Sequence, residues 1–343
     1  MAGYIARQGA ARGAHNPLFV RALVLQQNEV RAGILVADLL LISNRWAKRL
    51  RRRLAGLLKT SPDHLLVAAT HTHSGPLVGT APFQFSSSKG PMHFRKHLQS
   101  VIENAMAQAL RTAKESLQPV RLAAGRVVIH GIATDRNRPN LARTQSFHLF
   151  RFEGRTSKAF LGVYGCHPTV LGSDNLRFSG DLHGEIARRF ERHASVALTA
   201  NGSAANISTR FTRKNQTPAE LSRLVDKLMK QVSAMHLRRM EAPKLSVRTS
   251  PFKLRVRKFP STEKVSSRKS GRLGIVAEEA LAVQHQLRKS LGLAGKESVI
   301  ARVAAFRLGK IQLVALPFEV YASTGNFLWK KAHIVPLCYA NGY

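Results

Sequence analysis

Residues Arg45–Pro76 read RWAKRLRRRLAGLLKTSPDHLLVAATHTHSGP. Trp46–Leu58 has helical spacing and is very basic. After Thr60-Ser61-Pro62 comes Leu65–Ala69, a short apolar run of strand length. It ends abruptly in Thr70-His71-Thr72-His73-Ser74-Gly75-Pro76, which is not ordinary turn chemistry. A helix feeding a strand whose carboxyl end carries reactive side chains predicts an α/β layer with a site beyond the strand ends.

The flanking sequence repeats this alternation. Val20–Leu25 and Ile34–Ala37 precede it as predicted strands, and Lys96–Leu117 follows as a helix with Leu98, Val101, Ile102, Ala105 and Ala109 on one face. Val120–His130, Phe147–Phe152, Ala159–Tyr164 and Val196–Thr199 read as strands, and Leu182–His193 as a helix. Thr217-Pro218-Ala219-Glu220 has the form of a capping box with proline at the first helical position, opening a helix to about His236. Gly274–Leu291 reads as another helix. Val299–Leu308 and Ile311–Leu316 form a hairpin turned at Gly309-Lys310. The expected fold class is α/β: a layered mixed β-sheet core flanked by helices, in one domain over 1–343.

Composition narrows the function. The 343 residues carry 54 Lys+Arg against 19 Asp+Glu, a net charge of +35. A hydrophobic share of 44% excludes a disordered chain in spite of that charge. Cys166 and Cys338 are the only cysteines, which excludes a disulfide scaffold and a four-cysteine zinc module. The longest apolar run, Ile34–Ile42, is broken by Asp38 and falls short of the ~18 residues of a membrane span. With no h-region at the N-terminus either, the expectation is a cytoplasmic protein as written, or a secreted or periplasmic one if the native N-terminus is missing. The charge makes an anionic membrane surface a candidate partner and nucleic acid a weaker one, since no nucleic-acid module is visible. Between Leu237 and Leu273 the texture changes to 12 Lys+Arg against 2 acids. There Phe252, Leu254 and Val256 alternate with Lys253, Arg255 and Arg257, the pattern of a half-buried strand with a basic outer face. This is a basic insertion.

Four predicted strands end in candidate chemistry: His71 and His73, then His167 in Gly165-Cys166-His167-Pro168-Thr169, then Asn201–Thr209, then Glu319 in Pro317-Phe318-Glu319. Two residues apart on extended chain, His71 and His73 face the same side and can serve one site, as two ligands or as a ligand and an acid/base. His64, His93, His97, His148, His193, His236 and His285 lack such settings and read as surface or helix-face residues. No GxSxG, HExxH, P-loop or helix-opening GxGxxG is present.

THTHSGP, GCHPT with a downstream SGD, NGSAANIST, LPFE and YANGY stand in one order over nearly the whole chain. Together they resemble the N-terminal catalytic domain of the neutral/alkaline non-lysosomal ceramidases. The resemblance implies a zinc-dependent amidohydrolase that cleaves the N-acyl bond of a ceramide-like lipid to a sphingoid base and a fatty acid. It also implies site roles. His71, His167 and Glu319 would be ligands of Zn2+, with Tyr343 a candidate fourth. His73 would lie beside the scissile amide, Arg138 would hold an oxyanion, and Ser208 would take a catalytic part. The family's Gly-Asp-x-Ser has Ala205-Asn206 in place of Gly-Asp here, and its Pro-Gly-Glu has Phe318 in place of Gly. The residues leave ceramide and other N-acyl or ester substrates open. They also leave a reading from another class: a basic polyanion- or membrane-surface-binding protein with a degenerate, inactive hydrolase site.

Overall fold

The apolar alternation along the first strands decides the layering. In the computed structural model, which describes residues 1–4, 6–78, 92–138, 141, 145–256 and 297–343, β1 (Val20–Gln27) and β2 (Val30–Ala37) form an antiparallel hairpin. Its two faces are both apolar. Ala22, Val24, Leu35 and Ala37 turn one way, and Leu23, Leu25, Ile34 and Val36 the other. A strand buried on both faces needs a layer on each side. β3 (Leu65–Ala69), wholly buried, joins β2 in parallel, with Gly33 opposite Leu65. A Cβ on Gly33 would lie 2.7 Å from Leu65 Cδ2, so a larger residue there would have to push the Leu65 side chain aside.

On the first face lie α1 (Asn44–Leu58) and α2 (Met92–Glu115), contributing Trp46, Leu50, Leu54 and Leu58, and Met106 and Leu110. On the second lies another sheet rather than a helix. Its strands are β4 (Arg121–Ile129), β6 (Gln145–Glu153), β7 (Lys158–Tyr164) and β8 (Val196–Asn201). β4, β6 and β7 are successively antiparallel, and β7 and β8 are parallel. Leu122, Phe150, Phe152, Leu161, Val163 and Leu198 meet the first sheet. The outer face of this second sheet is covered by α3 (Asp181–Glu191) and α4 (Pro218–Ser233) through Leu182, Ile186 and Phe190, and Leu221, Leu224 and Leu228. The order is helices, sheet, sheet, helices. The expected α/β class holds, with two facing sheets where one mixed sheet was expected.

Short pairings complete the frame. β5 (Thr134–Asp135) pairs with β9 (Ile207–Ser208), and β10 (Arg238–Arg239) edges β4. A further sheet runs β11 (Leu245–Arg255), β12 (Ser298–Leu308), β13 (Ile311–Ala315) and β14 (Ile334–Leu337). β12 and β13 are the expected hairpin. α5 (Ala322–Ala332), not foreseen, lies between β13 and β14. Half of the expected capping box forms. The Thr217 side chain accepts from the Glu220 N–H, but the Glu220 carboxylate turns to Arg223 and the Lys214 N–H.

The described chain divides into two units, Met1–Thr249 with Val303–Tyr343, and Ser250–Arg302. In the second, Lys253 and Arg255 are exposed, Leu254 and Val256 half-buried, and Phe252 is 49% exposed where the alternation expected burial. The rest of the basic insertion, 257–273, and the expected helix Gly274–Leu291 lie outside the described residues. No helix among the described residues is long and apolar enough to cross a membrane.

Candidate metal centre

The carboxyl ends of β3 and β7 deliver three imidazoles to one point. Ligand atoms of His71, His73 and His167 all lie within 4.8 Å of one another. His71 leaves β3 with a φ of +67°, a left-handed backbone that costs energy for a residue with a Cβ and clusters at functional sites. His71 Nδ1 lies 2.8 Å from the Leu40 carbonyl, and His167 Nδ1 lies 2.8 Å from the Ala204 carbonyl. A carbonyl only accepts, so both Nδ1 atoms carry the proton and both Nε2 atoms present a lone pair to the cluster, where Arg136 Nη1 and His73 Nε2 each approach one of them at 3.3 Å. This is the tautomer of a metal-binding histidine held by its surroundings. His73 Nε2 sits 3.3 Å from His71 Nε2. The Tyr339 ring stacks on His71 at 3.9 Å between centroids and 10° between planes, fixing the imidazole plane.

Burial keeps this cluster neutral. Loss of solvent, then the neighbouring His73 and His167, depresses His71 well below the ordinary histidine value. Burial and then His167 take His73 to about 3. His167 is lowered by burial and by Arg136. Three unprotonated imidazoles so close together are a donor set for a divalent cation and disfavour a proton.

An acid and a phenol border the cluster. Glu319, past the end of β13, brings Oε2 to 3.6 Å from His167 Nε2. The Tyr343 hydroxyl donates to Glu319 Oε1 at 2.6 Å, and burial beside that carboxylate raises the phenol's pKa. Tyr343 is held in place and does not fray: its ring lies 5.3 Å from Tyr339, and its carbonyl accepts from Asn44 Nδ2 at 3.4 Å. Ser208 is buried, and its Oγ accepts from the Arg210 N–H. Its segment pairs with His167, whose N–H donates to the Ile207 carbonyl.

The arginine at the cluster is Arg136, with Nη1 3.3 Å from His167 Nε2. Arg138, the expected oxyanion holder, is exposed, and its backbone N–H caps Asp135 Oδ1. The extended alternation does not continue through Arg136-Asn137-Arg138, because the chain bends after β5 and the Asn137 and Arg138 N–H groups both turn back onto Asp135 Oδ1, leaving Arg136 half-buried and Arg138 exposed. Asn206, in the place of the family's aspartate, donates to Asp135 Oδ2 at 2.7 Å, so the carboxylate next to this loop comes from β5.

Three supports had no clear sequence signal. Tyr4 donates to the Leu171 carbonyl at 2.8 Å and lies 5.0 Å from the His73 ring. Gly3 has a φ of +108°, and a Cβ there would fall 2.7 Å from His73 Cα, so the N-terminal segment packs directly on the third imidazole. Asp181, buried and at a φ of +46°, accepts from the Val170, Leu171 and Leu182 N–H groups and so fixes the segment after His167. The SGD string was the one available hint of the last.

The sequence profile of the N-terminal region of neutral/alkaline non-lysosomal ceramidases matches residues 1–220. The chain belongs to that family. The neutral ceramidase of Mycobacterium tuberculosis is 26% identical over 248 residues, 66% of this chain and 38% of its own. Neutral ceramidase A of Dictyostelium discoideum is 23% identical over 169 residues, 45% of this chain and 23% of its own. The chain therefore spans well under half the length of these two ceramidases. Among solved structures, neutral ceramidase from Pseudomonas aeruginosa superposes with a TM-score of 0.67 at 18% identity, over 100% of this chain and 65% of the other. A ceramidase complexed with C2 gives 0.67 at 17%, over 100% and 66%. The chain shares the fold of these two structures over that span. Glu319 and Tyr343 lie beyond the matched 1–220, so two polar groups of this centre stand outside the profile that identifies the ceramidase family.

Proposed function

We propose that this chain is the hydrolytic part of a zinc-dependent ceramidase, cleaving the amide of a ceramide-like lipid to a sphingoid base and a fatty acid. The observation that carries the reading is the pair of histidines whose Nδ1 atoms are tied to backbone carbonyls while their Nε2 atoms face a common point beside His73. The donor set fits the ion: neutral imidazole nitrogens with a carboxylate and a phenol nearby. His71 and His167 would hold it through Nε2, with Glu319 and Tyr343 completing the set. When bound, zinc supplies Lewis acidity and makes water a nucleophile near neutral pH.

The chain's own groups have separable tasks. Arg136 carries a fixed positive charge at the cluster and would steady the oxyanion of the tetrahedral species, a contribution of about 3–4 kcal/mol for a preorganised donor. His73, beside the His71 Nε2 atom, would polarise the scissile amide or pass a proton onward, since burial opposes a lasting charge on its ring. The Tyr343 hydroxyl donates its one proton to Glu319, which would leave an oxygen lone pair for the ion. Ser208 would bind substrate, since water already serves as nucleophile. An inactive polyanion-binding protein places no demand on three buried imidazoles, which favours the hydrolase.

The test is metal analysis with turnover of a fluorescent short-chain ceramide. About one zinc per chain, loss of turnover with chelator and recovery on adding zinc are expected. His71→Ala should lose metal and turnover together. Full turnover in metal-free protein would defeat the proposal.

A further inference from the structure

α1 has six Lys and Arg in fifteen residues and no acid. Its buried face is Trp46, Ala47, Leu50, Leu54, Ala55 and Leu58, so every charge stands outward or to the side. Arg49 and Arg53 lean over α2 and share one carboxylate, Glu103. Arg51 turns the other way, to Asp63. That leaves Arg45, Lys48 and Arg52, all exposed and without an acidic partner among the described residues. At 100° per residue they fall within about 60° of one another and form a single outward stripe. α2 runs parallel beside it, Trp46 against Glu103 and Leu57 against Lys114, and adds exposed Lys96 and Arg111. Val101, on the same helix, is 49% exposed.

The stripe starts at the candidate centre. The Leu40 carbonyl holds His71, and four residues later Asn44 holds the Tyr343 carbonyl. Arg45 is the next residue.

We propose that the outer face of α1, led by Arg45, Lys48 and Arg52, docks the protein on an anionic lipid bilayer and brings the mouth of the centre to the membrane surface. The choice of a bilayer over other polyanions rests on the reading of the centre as a lipid hydrolase. It is supported by the cation stripe that runs away from the centre's rim. No exposed aromatic lies on α1 or α2 among the described residues, so the face lacks the stacking platforms of a single-strand binder. Each Lys or Arg near such a surface raises partitioning about fivefold.

The experiment is co-sedimentation with phosphatidylcholine vesicles, with and without phosphatidylglycerol. The wild type should bind the anionic vesicles and not the neutral ones, and release with added salt. The triple variant Arg45→Gln/Lys48→Gln/Arg52→Gln should bind about 100-fold more weakly. A second triple, Lys230→Gln/Arg238→Gln/Arg239→Gln, removes the same charge from exposed positions on α4 and β10, and should bind nearly as wild type. Equal weakening in both triples would show that overall charge does the work and would overturn the proposal. So would an α1 triple that binds vesicles normally but no longer binds a transfer RNA. Turnover of a water-soluble short-chain ceramide is measured alongside and should be the same in the α1 triple as in the wild type. Absent turnover in every form, with vesicle binding as expected, would sink the hydrolase reading and leave the docking face standing.

Discussion

Acid should destabilise the metal-free protein, and His73 contributes a share that can be isolated. Its imidazole has an ordinary value of 6.5 and is held at about 3 in the fold by burial and by His167. For a base with a lowered folded value, the unfolded chain takes the proton first. Its stabilising share is complete above pH 6.5 and is lost as pH falls from there toward 3. At about pH 5 the unfolded state gains RT ln(1 + 10^1.5), about 2 kcal/mol, while the folded His73 is still neutral. That is a large fraction of an ordinary stability of about 5–15 kcal/mol. His148 and His183, taken to about 3 and about 4, move the same way from outside the cluster, so the total pH dependence is no test. His73→Gln is, because glutamine cannot titrate. Urea unfolding of chelator-treated protein at about pH 7.5 and about pH 5 should show the stability loss smaller by about 2 kcal/mol in the variant, with about one proton fewer taken up on unfolding. Equal pH dependence in both proteins would refute the buried, neutral cluster.

The other expectations are sharper in direction than in size. Arg136→Gln should lower turnover about 100-fold or more while Arg138→Gln changes it little, and the reverse order would restore the exposed arginine to the site. Asp181→Ala strands three buried N–H groups and should cost about 3–6 kcal/mol in urea unfolding; Asp181→Asn keeps an acceptor and tolerates the left-handed backbone, so it should cost clearly less. Tyr343→Phe removes one charge-assisted hydrogen bond to Glu319, and should weaken zinc affinity measurably in a chelator competition; unchanged affinity would free the tyrosine from the ligand set.

The elements legible in the sequence were those with strong apolar period. β1, β2, β3, β4, β6, β7 and β8 and the helices α1 to α4 fall where the pattern put them, within a few residues. α5 was missed because Ala322 alone of its residues is buried, which leaves no stripe to read. β14 was missed because Pro336 breaks a strand pattern, though it pairs in parallel opposite Val314. The second sheet was hidden for another reason. A strand apolar on both faces says that both are covered, but not whether by helix or by sheet. At the centre, HTHSGP and GCHPT were readable because histidines at strand ends have few structural reasons to be there. Tyr339 was read only as part of YANGY, since stacking on His71 is a long-range fact. Spacing alone gave no way to choose between Arg136 and Arg138.

The hydrogen bonds that close the centre join distant stretches of chain. The Val67 N–H reaches Asn341 across 274 positions, Asn44 reaches Tyr343 across 299, and Tyr4 reaches Leu171 across 167. Contacts of that range form late in folding, because each demands a large loop to close before any of it is rewarded. The two sheets can assemble from nearer neighbours, whereas the cluster's outer walls cannot. During synthesis His71 and His167 therefore emerge well ahead of Glu319 and Tyr343, and the imidazoles are in place before the acid and the phenol that border them. The burial that keeps those imidazoles unprotonated is complete only once the last wall has docked, so the cluster's chemistry is the final thing the fold switches on.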